Sequence, residues 1–226
     1  MATNTNPNFE FTGFNHLALT CSDMQRTVDF YTNVLGMKLV KTMEYTGESN
    51  KGQHFFFDVG NGRDAIAFFW FEDGPPAVSL VAHSPFSAHS DSRSDPMYSA
   101  AGSMNHLAFG VPPEKIEEYR EKLEAMGIEV TKIRNHSNKP GTAGTRGPTD
   151  QYMPDEPNED TFVRSLYFED PNGITLEFAC WGRPLTDGDI EHEGKTAADL
   201  DVEKGLENLR NAMKQAEAAA SARTSR

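Results

Sequence analysis

Four residues, Asn15-His16-Leu17-Ala18, return as Asn105-His106-Leu107-Ala108 after 90 positions, and this repetition limits the architecture more tightly than any other property of the chain. Self-similarity at such a spacing marks a duplicated structural unit. Each copy sits in a short apolar run, Gly13–Thr20 and Ser103–Val111, that reads as a strand. A helical pattern follows each copy. The first has Ser22 and Gln25 in capping-box spacing, then Met24, Val28, Tyr31 and Leu35 on one face, and stops at Gly36. The second opens on Pro112-Pro113-Glu114, carries Ile116, Tyr119, Leu123 and Met126, and stops at Gly127.

A strand follows each helix, Met37–Tyr45 and Ile128–Arg134, and a hairpin closes each unit. In the first unit His54–Asp58 turns at Asn61-Gly62 into Ala65–Phe71; in the second Ser165–Glu169 turns at Asn172-Gly173 into Ile174–Trp181. The expected class is α+β, with two βαβββ modules forming one curved mixed sheet and a C-terminal helical tail. The modules span residues 12–72 and 103–182. Residues 1–11 are an N-terminal arm, 73–102 a joining segment with His83 and His89, and 183–226 a tail. Residues His136–Asp160 read as a long loop inside the second module. In the tail Val202, Leu206, Leu209 and Met213 make a thin helical stripe, which suits packing on the body or in a homodimer.

Composition narrows the partners. The formal charge of −13 repels phosphate backbones and anionic lipid, so nucleic acid and membrane surfaces are not expected partners. The N-terminus shows no apolar signal segment, and the two cysteines, Cys21 and Cys180, make no disulfide framework. The expected compartment is the cytoplasm.

Period-two alternation sorts the strand faces. Leu17 and Leu19 lie opposite His16 and Ala18; Leu107 and Phe109 lie opposite His106 and Ala108; Leu176 and Phe178 lie opposite Glu177 and Ala179. The large apolar sets suit a face covered by helices. His16, His106 and Glu177 sit among small residues, which leaves room for a hollow if the modules share one sheet. Two imidazoles and a carboxylate suit Fe(II) with open positions, and the same donors accept Mn, Zn, Co or Ni. On the first module's inward face, Phe56, Phe69 and Phe71 make the hollow apolar and favour an aromatic small-molecule substrate. No Lys or Arg cluster offers a phosphonate or coenzyme A site; Arg63 and Arg164 are isolated.

The Asn-His-Leu-Ala copies, the stretch Asp29-Phe30-Tyr31 with Val34-Leu35-Gly36-Met37, and the run Leu166-Tyr167-Phe168-Glu169-Asp170-Pro171-Asn172-Gly173-Ile174-Thr175-Leu176-Glu177 resemble the vicinal oxygen chelate superfamily. That group includes glyoxalase I, bleomycin and fosfomycin resistance proteins, and extradiol dioxygenases. The resemblance covers about Thr12 to Trp181. It implies paired βαβββ modules around a metal-centred cavity, with His16, His106 and Glu177 as ligands. Glyoxalase I adds a fourth ligand from the first module. Matching Ile66 to Ile174 sets Phe69 at that place, and a slip of one residue sets Phe68 or Trp70 there; none ligates. A three-ligand set resembles the extradiol dioxygenases, whose signature Tyr, ten residues before the ligand Glu, is Tyr167 here. The signature's His before that Tyr has no match in Asn158–Phe162. The same group carries a catalytic His before the second metal His, and His89, then His83, occupies that region. His54 shares the Phe56 face and is a further acid–base candidate, whereas His136 and His192 read as loop residues. The expected activity is an Fe(II)-dependent ring-cleaving dioxygenase. The alternatives are a glyoxalase-I-like lyase or isomerase and a metal-free ligand-sequestering protein of the bleomycin-resistance kind.

Overall fold

The computed structural model describes residues 8, 13–47, 50–74, 104–141, 144–146, 152–194, 203, 206–207, 210–211 and 214. The chain divides into two units, Met1–Ala77 and Val78–Arg226. Both are mixtures of helix and strand, as the repeated pattern predicts.

Unit 1 runs β1 (His16–Thr20), α1 (Met24–Asp29), β2 (Lys38–Gly47), β3 (Asn50–Asp58) and β4 (Ala65–Phe71). Its sheet order is β1-β4-β3-β2, with β1 parallel to β4 and the rest antiparallel. The helix begins one residue later than the capping-box spacing predicts. Asp23, not Ser22, accepts the Arg26 N–H at 2.9 Å, and its carboxylate also suits the positive end of the helix. A wide π turn over Phe30–Val34 follows directly. It changes the angular step, so Thr27 and Phe30 join Met24 and Tyr31 in the core, while Val28 and Leu35 are only half-buried. Tyr31 is fully buried, its ring 4.9 Å from Phe68 and 5.6 Å from Phe57. Phe57, Ile66 and Phe68 therefore face the helix side. Alternation and register turn His16, Ala18, His54, Phe56, Ala67 and Phe69 to the far face of the same sheet.

Unit 2 runs β5 (Leu107–Gly110), α2 (Ile116–Ala125), β6 (Arg134–Ser137), β7 (Gly144–Arg146), β8 (Tyr152–Pro154), β9 (Thr161–Glu169) and β10 (Thr175–Trp181). The order is β5-β10-β9-β6-β8-β7, with β5 parallel to β10. Ile116, Leu123, Leu166, Phe168 and Leu176 are buried on the helix side. Arg164 lies on this side too, away from the face of Glu177 and Tyr167. It pairs with Glu117 of α2 and donates to Asn135 Oδ1 at 3.2 Å, clasping helix to sheet.

Two expectations about this unit change. The strand expected at Ile128–Arg134 is irregular until Arg134, where β6 begins. The reason is Thr131: its N–H donates to Tyr167 O at 3.0 Å, but its hydroxyl oxygen, not its carbonyl, receives the Tyr167 N–H at 2.9 Å. A side chain has taken one backbone place in the ladder. The expected loop His136–Asp160 contains the end of β6 together with β7 and β8. Asn135 Nδ2 donates to Pro154 O at 3.1 Å, and Ser137 Oγ donates to Asn158 Oδ1 at 2.8 Å, which ties the segment to the sheet.

The closing turns carry their expected glycines at positive φ, Gly62 at 68° and Gly173 at 79°. Both are wider than two-residue hairpins. Asp170 Oδ1 accepts the Asn172 and Ile174 N–H groups at 2.8 Å each, and Asn61 Oδ1 accepts those of Arg63 and Asp64. In the tail, Leu206 and its described neighbours are helical and exposed, whereas Val202, Leu209 and Met213 lie outside the described residues. Among the described residues, no helix is long and apolar enough to cross a membrane.

Candidate metal centre

Both repeats build the same small clip. Asn15 Oδ1 lies 2.7 Å from His16 Nδ1, and Asn105 Oδ1 lies 2.7 Å from His106 Nδ1. An amide oxygen only accepts, so each Nδ1 carries a proton and donates it. In a neutral imidazole this leaves the lone pair on Nε2, the state in which a histidine binds metal.

In unit 2 that Nε2 meets a carboxylate. Glu177 Oε2 stands 2.8 Å from His106 Nε2. Strand register produces the meeting, because Glu177 pairs with Ala108 on β5 and with Tyr167 on β9. The Glu177 side chain is 8% exposed, that of His106 30%. A lone pair and a carboxylate oxygen repel at this distance unless a cation lies between them, and either a proton or a metal ion satisfies the pair. The donor chemistry therefore fits a divalent cation.

The electrostatics of Glu177 follow from its neighbours. Burial pushes its carboxyl up, but hydrogen bonding with His106, Tyr167 and Ser165 and the nearness of the His106 imidazole outweigh burial and hold it below the usual carboxylate range. Tyr167 responds in the opposite sense. Burial first, then the Glu177 charge, push its phenol well above the ordinary value, so it stays protonated at neutral pH. Ser165 Oγ donates to Tyr167 Oη at 3.3 Å. The Tyr167 ring meets His106 edge-on at 5.6 Å, with the Arg134 guanidinium 5.8 Å from its centre.

Unit 1 gathers different chemistry around its clip. The His16 ring lies 5.3 Å from Phe56, and His54 stacks on Phe69 at 3.6 Å. Burial, then nearby His16, hold the His54 imidazole below its ordinary value. Strand register also corrects the expected counterpart of Glu177. Ala18 pairs with Ala67 as Ala108 pairs with Glu177, so Ala67 holds that place, not Phe69. Alanine cannot ligate either, and Phe69 sits two residues further along the same face.

The structure thus brings His106, Glu177 and Tyr167 together in unit 2, and sets His16, Phe56 and Phe69 on one face of unit 1. His83 and His89 lie outside the described residues. Among the described residues, no three His, Cys, Asp or Glu side chains converge as a metal-holding group. Sequence reading missed Ser165, Arg134 and His136. Ser165 was available from alternation, two places before Tyr167. The other two were hidden by the irregular segment before β6. His136, expected in a loop, stands on β6 opposite Val163, with Arg134 opposite Ser165. Burial lowers the His136 pKa, with the Glu177 charge acting against it and Arg134 acting with it.

A lactoylglutathione lyase of Pseudomonas aeruginosa is 27% identical over 123 residues, 53% of this chain and 68% of the lyase. A glyoxalase family protein from Enterococcus faecalis matches with a TM-score of 0.47 at 22% identity, covering 75% of this chain and 98% of its own. The fosfomycin resistance protein FosX from Listeria monocytogenes, in complex with Mn(II) and sulfate, matches with a TM-score of 0.43 at 18% identity, covering 80% and 100%. The sequence match places the chain: it belongs to the Glyoxalase/Bleomycin resistance protein/Dioxygenase superfamily, whose family model matches residues 13–178.

Proposed function

We propose that the chain is a metal-dependent dioxygenase of the extradiol type, acting on an aromatic substrate with two adjacent oxygens. His106 and Glu177, with His16 from unit 1, would hold the cation, Fe(II) before Mn, Zn, Co or Ni. One observation carries this reading. The Asn105 clip aims His106 Nε2 at Glu177 at 2.8 Å, a buried nitrogen–carboxylate pairing that a proton satisfies when the site is empty and a divalent cation can take over. Three ligands with Ala67 at the fourth place leave positions for two substrate oxygens and dioxygen.

When bound, iron(II) would supply a Lewis acid for the substrate oxygens and electron density for dioxygen. The chain's residues do the rest. Asn15 and Asn105 hold the imidazole tautomers. Glu177 offsets the positive charge. Tyr167, kept protonated, donates a hydrogen bond to a substrate oxygen. Phe56 and Phe69 take up the ring and exclude water. Both atoms of dioxygen enter the ring-opened product, so no external reductant is consumed.

A second reading, a redox-neutral lyase or isomerase, is favoured by the similarity to lactoylglutathione lyase. Ala67 weighs against it, since a glyoxalase-I-like centre draws a further carboxylate from the first module. Anaerobic purification with metal analysis separates the two. Oxygen uptake with a panel of catechols and hydroquinones is the expected result. Tight zinc or nickel, turnover of the methylglyoxal–glutathione adduct and no oxygen uptake would replace the first reading with the second.

A further inference from the structure

The far face of unit 1 holds a polar atom that folding leaves unserved. His54 is 6% exposed, and its Nε2 is buried with no hydrogen-bond partner. Two aromatic rings crowd the imidazole. Phe69 stacks on it at 3.6 Å with 23° between planes, and Phe56 lies at 4.3 Å. A hydrogen-bond partner for Nε2 must approach at the ring edge, roughly in the imidazole plane, where the nitrogen's proton or lone pair lies.

A buried nitrogen left in this state costs folding free energy that a purely apolar side chain of the same shape would not. Phenylalanine would continue the surrounding row, where Phe69 also stacks on Phe71 at 5.8 Å and 7°. The place therefore has the geometry of an aromatic wall with one hydrogen-bonding edge. Met43 pairs with His54 across β2 and β3 and is 36% exposed. Its unbranched thioether can change rotamer and give access to the edge.

We propose that His54 is a specificity-determining residue: its Nε2 hydrogen-bonds the hydroxyl of a flat phenolic ligand whose ring packs on Phe56 and Phe69. A hydroxyl both donates and accepts, so it serves either tautomer of the neutral imidazole. The inference rests on the proposed function in taking this face as the substrate-binding one, and it names the group recognised there.

The test uses the full chain stripped of metal with a chelator, so that it does not depend on turnover. Phenol and toluene are titrated separately and followed by ligand NMR. Phenol is expected to bind about tenfold tighter than toluene, the worth of one good hydrogen bond. His54→Phe should erase that preference while toluene affinity stays within about twofold, and His54→Gln, which keeps a polar edge, should restore part of it. The melting temperature of His54→Phe should rise, because the unserved nitrogen is gone. Equal binding of phenol and toluene to the parent overturns the inference. So does a preference that survives in His54→Phe, or a lower melting temperature in that variant. Absence of oxygen uptake by the metal-loaded parent, with the phenol preference intact in the stripped chain, sinks the dioxygenase reading and leaves the role of His54 standing.

Discussion

The two sheets carry the same Asn-His clip and surround it differently. In unit 2 the register places beside the clip hold Glu177, Tyr167 and Ser165; the matching places in unit 1 hold Ala67, Phe56 and His54. The helix-side core is alike in kind, with Phe57 and Phe68 answering Phe168 and Phe178. Divergence is concentrated on the far face, where no packing requirement from the helix limits it. One sheet carries charge and hydrogen bonding there, the other aromatic surface. A duplicated scaffold can divide labour in this way, with chemistry on one sheet and recognition on the other.

Four predictions test that division. The largest effect belongs to Glu177→Ala, which removes the only carboxylate that meets a clip histidine among the described residues. Bound metal should fall to background by elemental analysis, and turnover with it; a variant that keeps its metal would disprove the ligand assignment. Next comes Tyr167→Phe, which gives unit 2 the residue of unit 1. It should lower kcat by about 100-fold, the usual contribution of a positioned proton donor, with metal content unchanged. A parallel loss of metal would make Tyr167 a structural residue instead.

Third, Asn105→Ala should weaken metal binding by about 10- to 100-fold in a chelator competition, as expected for a group that fixes a ligand's tautomer. Asn15→Ala should do the same if both clips serve one centre. An effect confined to Asn105 would show that the unit 1 clip is a relic of duplication. The smallest effect concerns pH. An unfolded histidine takes up its proton as pH falls through about 6.5. Half-buried His136 resists until lower pH, because its folded pKa is depressed. The unfolded state then binds more protons in that window, so stability is lost as pH falls below about 6.5. His136→Gln should flatten this slope between about pH 7.5 and about 5.5 in urea titrations. An unchanged slope would place His136 in contact with water.

Much of this was legible in the chain itself. Asn15 and Asn105, the glycines after each helix and the Asn-Gly turns declare the duplicated order, because each meets a local requirement, of a neighbouring side chain for the asparagine clips and of the backbone for the glycines. Alternation also separates Glu177 and Tyr167 from Leu176 and Phe168, since a strand's period of two leaves no choice of face once one side is core. What sequence could not settle were non-local matters. Assigning Phe69 to the place of Glu177 was a slip of two residues, and a slip of two keeps every side chain on its face, so no hydrophobic pattern reveals it. Only pairing β4 against β1 and β3 identifies Ala67. His136 and Arg134 were hidden for a related reason, since Thr131 closes the ladder with its hydroxyl and disguises the approach to β6. The orphaned nitrogen of His54 was equally out of reach, because whether a polar atom finds a partner depends on what the folded chain packs around it. The sequence alone determined the repeated units and the faces of their strands, both set by local sterics and periodicity. The tertiary structure decided register, burial and hydrogen-bond satisfaction, which depend on residues far apart in the chain.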